Sequence, residues 1–179
     1  MKKYIFYFII GIVISGALYW IANQSTSDSP LSPTATVEEI NKLSEADYDI
    51  DLKGINAPDT NLKNFRNKKL FLNFWGTWCP PCRTEWPTIQ ALYNNKKGQL
   101  DFVLIAMQDQ EENVVKFLKE NKYSVPVYIA KSPIPASLLP KAFPTTLLLN
   151  TDGKIFFKED ASKDWNNKDA NDLINTFLK

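Results

Sequence analysis

Leu70-Phe71-Leu72-Asn73-Phe74-Trp75-Gly76-Thr77-Trp78-Cys79-Pro80-Pro81-Cys82 runs from an apolar stretch straight into a cysteine pair. Its first six residues are nearly all apolar, which suits a central strand covered on both faces. The cysteines open the next element, a helix expected over residues 80–96, where Trp86, Ile89, Leu92 and Tyr93 are spaced to face a core and Pro87 predicts a kink. A Cys-X-X-Cys at a helix start can close a small disulfide ring. The unpaired N-terminal amides and the positive dipole end there favour the first sulfur as a thiolate. Thiolates attack disulfides, so a redox dithiol is the leading reading of Cys79 and Cys82, with Cys79 as nucleophile and Cys82, one turn inward, as resolving thiol.

These are the only two cysteines in the 179 residues, and there is no histidine. Ser-His-Asp and Cys-His catalysis are thereby excluded, and the thiols have no ring-nitrogen base. Zinc wants four ligands, so a metal reading needs a second chain or carboxylates; no metal and no cofactor is expected. A purely structural bridge is a weak alternative, because so short a loop loses little entropy on closure. Lys and Arg number 21 against 20 Asp and Glu, without a basic stripe, which argues against nucleic-acid binding.

Residues 4–22 carry no charge over 19 positions. At about 1.5 Å per helical residue they nearly span a hydrocarbon core of roughly 30 Å. Lys2 and Lys3 precede them and no Lys or Arg follows until Lys42, so the short N-terminus is expected in the cytoplasm and the rest outside. A cleaved signal peptide is the competing reading, since Ser15-Gly16-Ala17 offers small residues, but the apolar run continues through Tyr19, Trp20 and Ile21. The expected organisation is an anchor over 1–22, a linker and N-terminal extension over 23–44, and a domain over 45–179. Residues 23–36 are rich in Ser, Thr and Pro, as a tether would be, and 37–43 predict a short helix.

Further along, residues 48–52 alternate as an edge strand would and 54–60 read as a turn. Residues 101–107 predict a second buried strand, followed by a helix over 111–121 with Val114, Val115, Phe117 and Leu118 on its apolar spacing. Residues 125–130 begin another strand, 131–140 hold three prolines, and strands over 145–149 and 154–158 flank a turn at 150–153. A helix over 167–178 closes the domain. This order gives an α/β fold with a mixed sheet and helices on both faces.

The run Asn73 to Pro87, with Phe143-Pro144-Thr145-Thr146 before a strand and the Asp152-Gly153-Lys154-Ile155 hairpin, resembles the thioredoxin superfamily. Within it the likeness is to the membrane-anchored branch of TlpA-, ResA- and DsbE-like thiol-disulfide oxidoreductases, over roughly residues 45–179. The resemblance implies a thioredoxin-like fold, with Pro144 as a cis-proline against the dithiol and Phe143 and Thr145 bordering the substrate groove. Trp78 could cover the sulfur and offer a docking surface, or simply be packed. Pro80 and Pro81 remove amide donors at the helix start and so shape how many N–H groups face the Cys79 sulfur. Thioredoxin itself has an aspartate where this chain has Asn73, and an asparagine is no base. The proton route then passes through water or through Glu85, three residues after Cys82; alternatively Glu85 is a surface carboxylate paired with a neighbour such as Arg83.

The same resemblance implies a reductase of selected exported proteins, apocytochromes c included. It would be a monomer in a bacterial cytoplasmic membrane that receives electrons from a membrane thiol transporter. A DsbA-type oxidase or isomerase would need a helical insertion for which the stretch between Cys82 and Pro144 has no room. A copper-delivery protein would need a histidine. A redox-inert module that holds peptides around Pro144 is the remaining alternative.

Overall fold

Three apolar runs joined by two amphipathic segments give three parallel strands, and these form the centre of the sheet. The computed structural model describes residues 42–179, and all structural statements below concern them. The strands are β1 (Asp51–Gly54), β2 (Thr60–Asn61), β3 (Leu70–Trp75), β4 (Asp101–Ala106), β5 (Val127–Ala130), β6 (Thr145–Leu149) and β7 (Ile155–Glu159). They form one sheet in the order β2-β1-β5-β4-β3-β6-β7. β3, β4 and β5 are parallel, whereas β6 lies antiparallel to β3, β7 to β6 and β1 to β5. The helices are α1 (Pro80–Lys96), α2 (Glu111–Asn121) and α3 (Lys168–Leu178).

All six residues of β3 are buried, as its nearly continuous apolar run demands, and the one polar residue among them is Asn73. Phe71 and Trp75 face one core, with Trp86, Ile89 and Leu92 of α1, Val114 and Leu118 of α2, and Ile174 and Phe177 of α3. Leu70, Leu72 and Phe74 face a second core, closed by Leu43, Tyr48, Ile50, Leu62 and Leu138. The expectation of helices on both faces is therefore corrected: the three α-helices share one face, and 3₁₀ turns and loops cover the other. The reason is handedness. The β3–α1–β4 and β4–α2–β5 crossovers step across the sheet in the same direction, and right-handed connections then put both helices on one side.

Two further expectations change. Tyr48, expected to begin the edge strand, instead ends a 3₁₀ turn over Glu45–Tyr48, where the Asp47 carboxylate accepts the Ser44 N–H at 2.6 Å and closes the chain locally, and the strand starts at Asp51. Val115, placed on the apolar spacing of α2, is 45% exposed, whereas Val114 and Leu118 on the same spacing are buried as expected. α1 runs continuously from Pro80 to Lys96 through Pro87, which stands in its exposed side.

The expected anchor, the tether and most of the helix predicted at 37–43 lie outside the described residues. Leu43, at the end of that stretch, donates its N–H to Gly153 O at 3.0 Å. Among the described residues no helix is long and apolar enough to cross a membrane.

Candidate active site

β3 delivers the chain to the carboxyl end of the parallel strands, and Gly76 and Thr77 turn it into α1. Cys79 is the N-cap of that helix and Cys82 lies in its first turn. They are joined in a disulfide with a Cα–Cα separation of 5.3 Å; Cys79 is 3% exposed and Cys82 fully buried. The Cys82 N–H points at the Cys79 sulfur at 3.3 Å. Pro80 and Pro81, the first two helical residues, have no N–H to add, so the N-terminal charge of α1 reaches this sulfur through one first-turn amide.

Replacing Pro81 with alanine restores an N–H at the second helical position, from which N-cap acceptors are commonly served. A hydrogen bond to a charged acceptor contributes about 1.5–3 kcal/mol, so the reduced Cys79 thiol is expected to titrate about 1–2 pH units lower and the protein to become a stronger oxidant. Thiolate absorbance against pH, with the glutathione equilibrium, measures both. An unchanged titration would mean that the new amide does not reach the sulfur.

Beside the dithiol, Trp78 is 48% exposed yet firmly held. Its indole N–H donates to Met107 O at 3.0 Å and its ring meets Phe143 edge-on at 5.3 Å between centroids. A Cβ on Gly76 would stand 2.5 Å from the indole nitrogen, which is why glycine precedes it. Trp78 is thus packed along one edge and open on the rest, which combines the two readings its sequence allows. The Phe143–Pro144 peptide is cis and leads directly into β6, the antiparallel neighbour of β3. Phe143 is half-buried. Thr145, expected at the groove, is buried instead: its hydroxyl lies 2.9 Å from Ala142 O and 2.8 Å from Asp160 Oδ1, so its side chain serves the loop.

Glu85 is not a surface carboxylate. It is 2% exposed, on the face of α1 turned toward the sheet, and Arg83 points elsewhere, with its guanidinium over the Phe117 ring. Glu85 Oε1 accepts from Asn73 Nδ2 at 3.1 Å and Oε2 from the Lys163 N–H at 3.1 Å. Asn73 Nδ2 also donates to Thr146 Oγ1 at 2.9 Å, while Asn73 Oδ1 is a buried acceptor without a partner. Burial pushes the Glu85 carboxyl up to about 7; the Lys163 and Asn73 donors favour the charged form and offset part of that rise. A carboxyl balanced near neutrality can both take and return a proton. Lys163 lies 78 positions beyond Glu85, and Thr146 lies 73 beyond Asn73, and no local pattern announces either contact. Among the described residues no group of His, Cys, Asp or Glu side chains could hold a metal ion.

A cysteine pair at the start of the helix that follows a central parallel strand, with a cis-proline at the head of the adjacent antiparallel strand, defines a thioredoxin-superfamily protein of the TlpA/ResA/DsbE-like kind. The chain belongs to the Redoxin family, whose model matches residues 49–174. It is similar to thioredoxin-like protein YneN of Bacillus subtilis strain 168, with 32% identity over 110 residues, 60% of this chain and 65% of that one. Thiol-disulfide oxidoreductase ResA of Halalkalibacterium halodurans is 34% identical over 107 residues, 58% of this chain and 60% of that one. The chain thus spans somewhat less than two thirds of the length of these curated relatives. The solved structure of StoA from Bacillus subtilis, 25% identical, superimposes with a TM-score of 0.58 over 72% of this chain and 95% of that one.

Proposed function

We propose that this chain is a thiol-disulfide oxidoreductase on the outer face of a bacterial cytoplasmic membrane, where its dithiol reduces disulfides of selected exported proteins. The observation that carries the chemistry is the pairing of Cys79 and Cys82 across the first turn of α1, with one sulfur capping the helix and the other buried behind it. The Cys79 thiolate attacks a substrate disulfide, forming a mixed disulfide and expelling one substrate thiolate. Cys82 loses its proton, attacks Cys79 Sγ and releases the second substrate thiolate. Two electrons pass to the substrate, the two thiolates take up protons, and the protein is left in the oxidised form seen here. Glu85 serves as the acceptor for the Cys82 proton, and the Trp78 and Phe143 rings beside Pro144 form the surface on which substrate docks.

The location rests on the uncharged stretch 4–22 and the lysines before it. The reductive direction, a membrane thiol transporter as electron donor and apocytochromes c among the substrates rest on the likeness to the anchored branch. Related scaffolds span potentials from about −270 to −120 mV, and a reductase lies toward the negative end of that range.

Cys82→Ser in the full chain removes the resolving thiol and is expected to accumulate a mixed disulfide from Cys79 to its natural partners. Trapped proteins that are exported and bear paired cysteines support the proposal. Recovery of none, or of cytoplasmic proteins alone, would count against it.

A further inference from the structure

The segment that leads into Cys79 is tied to the loop between β4 and α2 by four hydrogen bonds. Asp109 Oδ2 accepts the Thr77 N–H at 2.5 Å, and Asp109 Oδ1 accepts the Thr77 hydroxyl at 2.9 Å. Met107 donates its N–H to Trp75 O at 2.8 Å and accepts the Trp78 indole N–H at 3.0 Å. Asp109 Oδ1 also takes the N–H of Gln110 at 3.0 Å, which fixes the carboxylate at the start of α2. Between Met107 and Asp109, Gln108 has φ of 51°. That left-handed conformation is uphill for a residue with a side chain and persists where the surroundings enforce it. The loop is therefore bent to bring the Met107 carbonyl and the Asp109 carboxylate to the same two residues. Met107, Asp109 and Ile134 also line a cavity of about 440 Å³.

We infer that Asp109 is a positioning residue for substrate docking: by holding Thr77 through both its amide and its hydroxyl, it fixes Trp78 against Met107 and Phe143 as a rigid aromatic platform beside the dithiol. Cys79 itself is held independently, by its place as the N-cap of α1 and by its N–H to Gly76 O at 3.1 Å. Loss of the Asp109 carboxylate thus disturbs the surface that receives a polypeptide more than the sulfur that reacts. The geometry specifies two acceptors for two donors on one residue. Thr77→Ser keeps both donors, and Thr77→Val keeps only the amide. A platform fixed before substrate arrives adds affinity by removing the ordering cost of an exposed tryptophan. The inference rests on Trp78 being the docking surface proposed above.

The test compares Asp109→Ala, Thr77→Val and Thr77→Ser with the unaltered full chain. One readout is steady-state reduction of insulin and of the small disulfide dithionitrobenzoate; the other is hydrogen exchange of the Trp78 indole N–H by NMR. Asp109→Ala is expected to raise KM for insulin about tenfold, with kcat and the dithionitrobenzoate rate within about twofold, the pattern of lost binding with chemistry intact. Its Trp78 N–H should exchange faster. Thr77→Val should fall between, and Thr77→Ser should match the parent. Equal losses on both disulfides, or unchanged KM with unchanged exchange, would overturn the inference. If Asp109→Ala does not fold, Thr77→Val decides it by the same readouts. If the parent chain reduces neither disulfide, the functional reading fails, and indole exchange alone decides whether Asp109 holds Trp78.

Discussion

Cys79→Ser is expected to lower disulfide reduction by at least about a thousandfold, the scale on which removal of a covalent nucleophile acts. Serine's hydroxyl stays protonated at any pH where the protein is folded, so nothing at the tip of α1 can open an S–S bond. The fold should survive. Serine is among the best N-cap residues and can accept the Cys82 N–H that Cys79 now accepts at 3.3 Å. Losing a disulfide that spans so short a loop costs about 2 kcal/mol by loop-closure arithmetic, within the stability of an ordinary domain. The variant should therefore keep its far-ultraviolet circular dichroism and unfold cooperatively while its insulin reductase activity disappears. Cys82→Ser differs in kind, because it keeps the attacking sulfur and stops at the mixed disulfide. Retention of a tenth or more of the parent rate by Cys79→Ser would move the nucleophile to Cys82 and reverse the assigned roles.

What could be read from sequence was local, and what could not was imposed from a distance. β3 and α1 were legible because a nearly all-apolar run and a cysteine pair followed by helically spaced apolar residues each need only their own neighbours to be recognised. The same holds for α2, whose apolar positions define its length even though they misassign Val115. The side of the sheet on which α2 packs depends on strand order, which no segment carries by itself. Glu85 makes the same point for the site. Its spacing from Cys82 put it on the right face, but spacing cannot say whether that face is wet. The Lys163 amide and the Asn73 side chain close over it, and its chemistry follows from that burial. Thr145 erred the other way: the family resemblance implied a groove residue, whereas Asp160 draws its hydroxyl inward.

Glu85→Gln is expected to make the protein more stable and less active at once. The folded protein holds the Glu85 proton up to about pH 7, against about 4.5 for the group's ordinary value. Because the folded-state value lies above the unfolded one, the folded chain binds more protons between them, and stability falls as pH rises through that window. The contribution is complete below about pH 4.5 and lost above about pH 7, amounting to roughly 3 kcal/mol. Glutamine has the same shape and no charge, so denaturant unfolding of Glu85→Gln should vary by less than about 1 kcal/mol from this source over the same range. Its carbonyl can still accept the Lys163 N–H, and its amide finds an acceptor if Asn73 turns over to present Oδ1, now buried without a partner. The variant also loses the group that receives the Cys82 proton, so its rate of resolving the mixed disulfide at neutral pH should fall about a hundredfold, the lower range for a general base. A carboxylate that only braced the fold would lose stability on replacement and leave turnover alone. If stability gains nothing above pH 7, Glu85 is not held protonated by burial; if resolution keeps its rate, water takes the proton in its place.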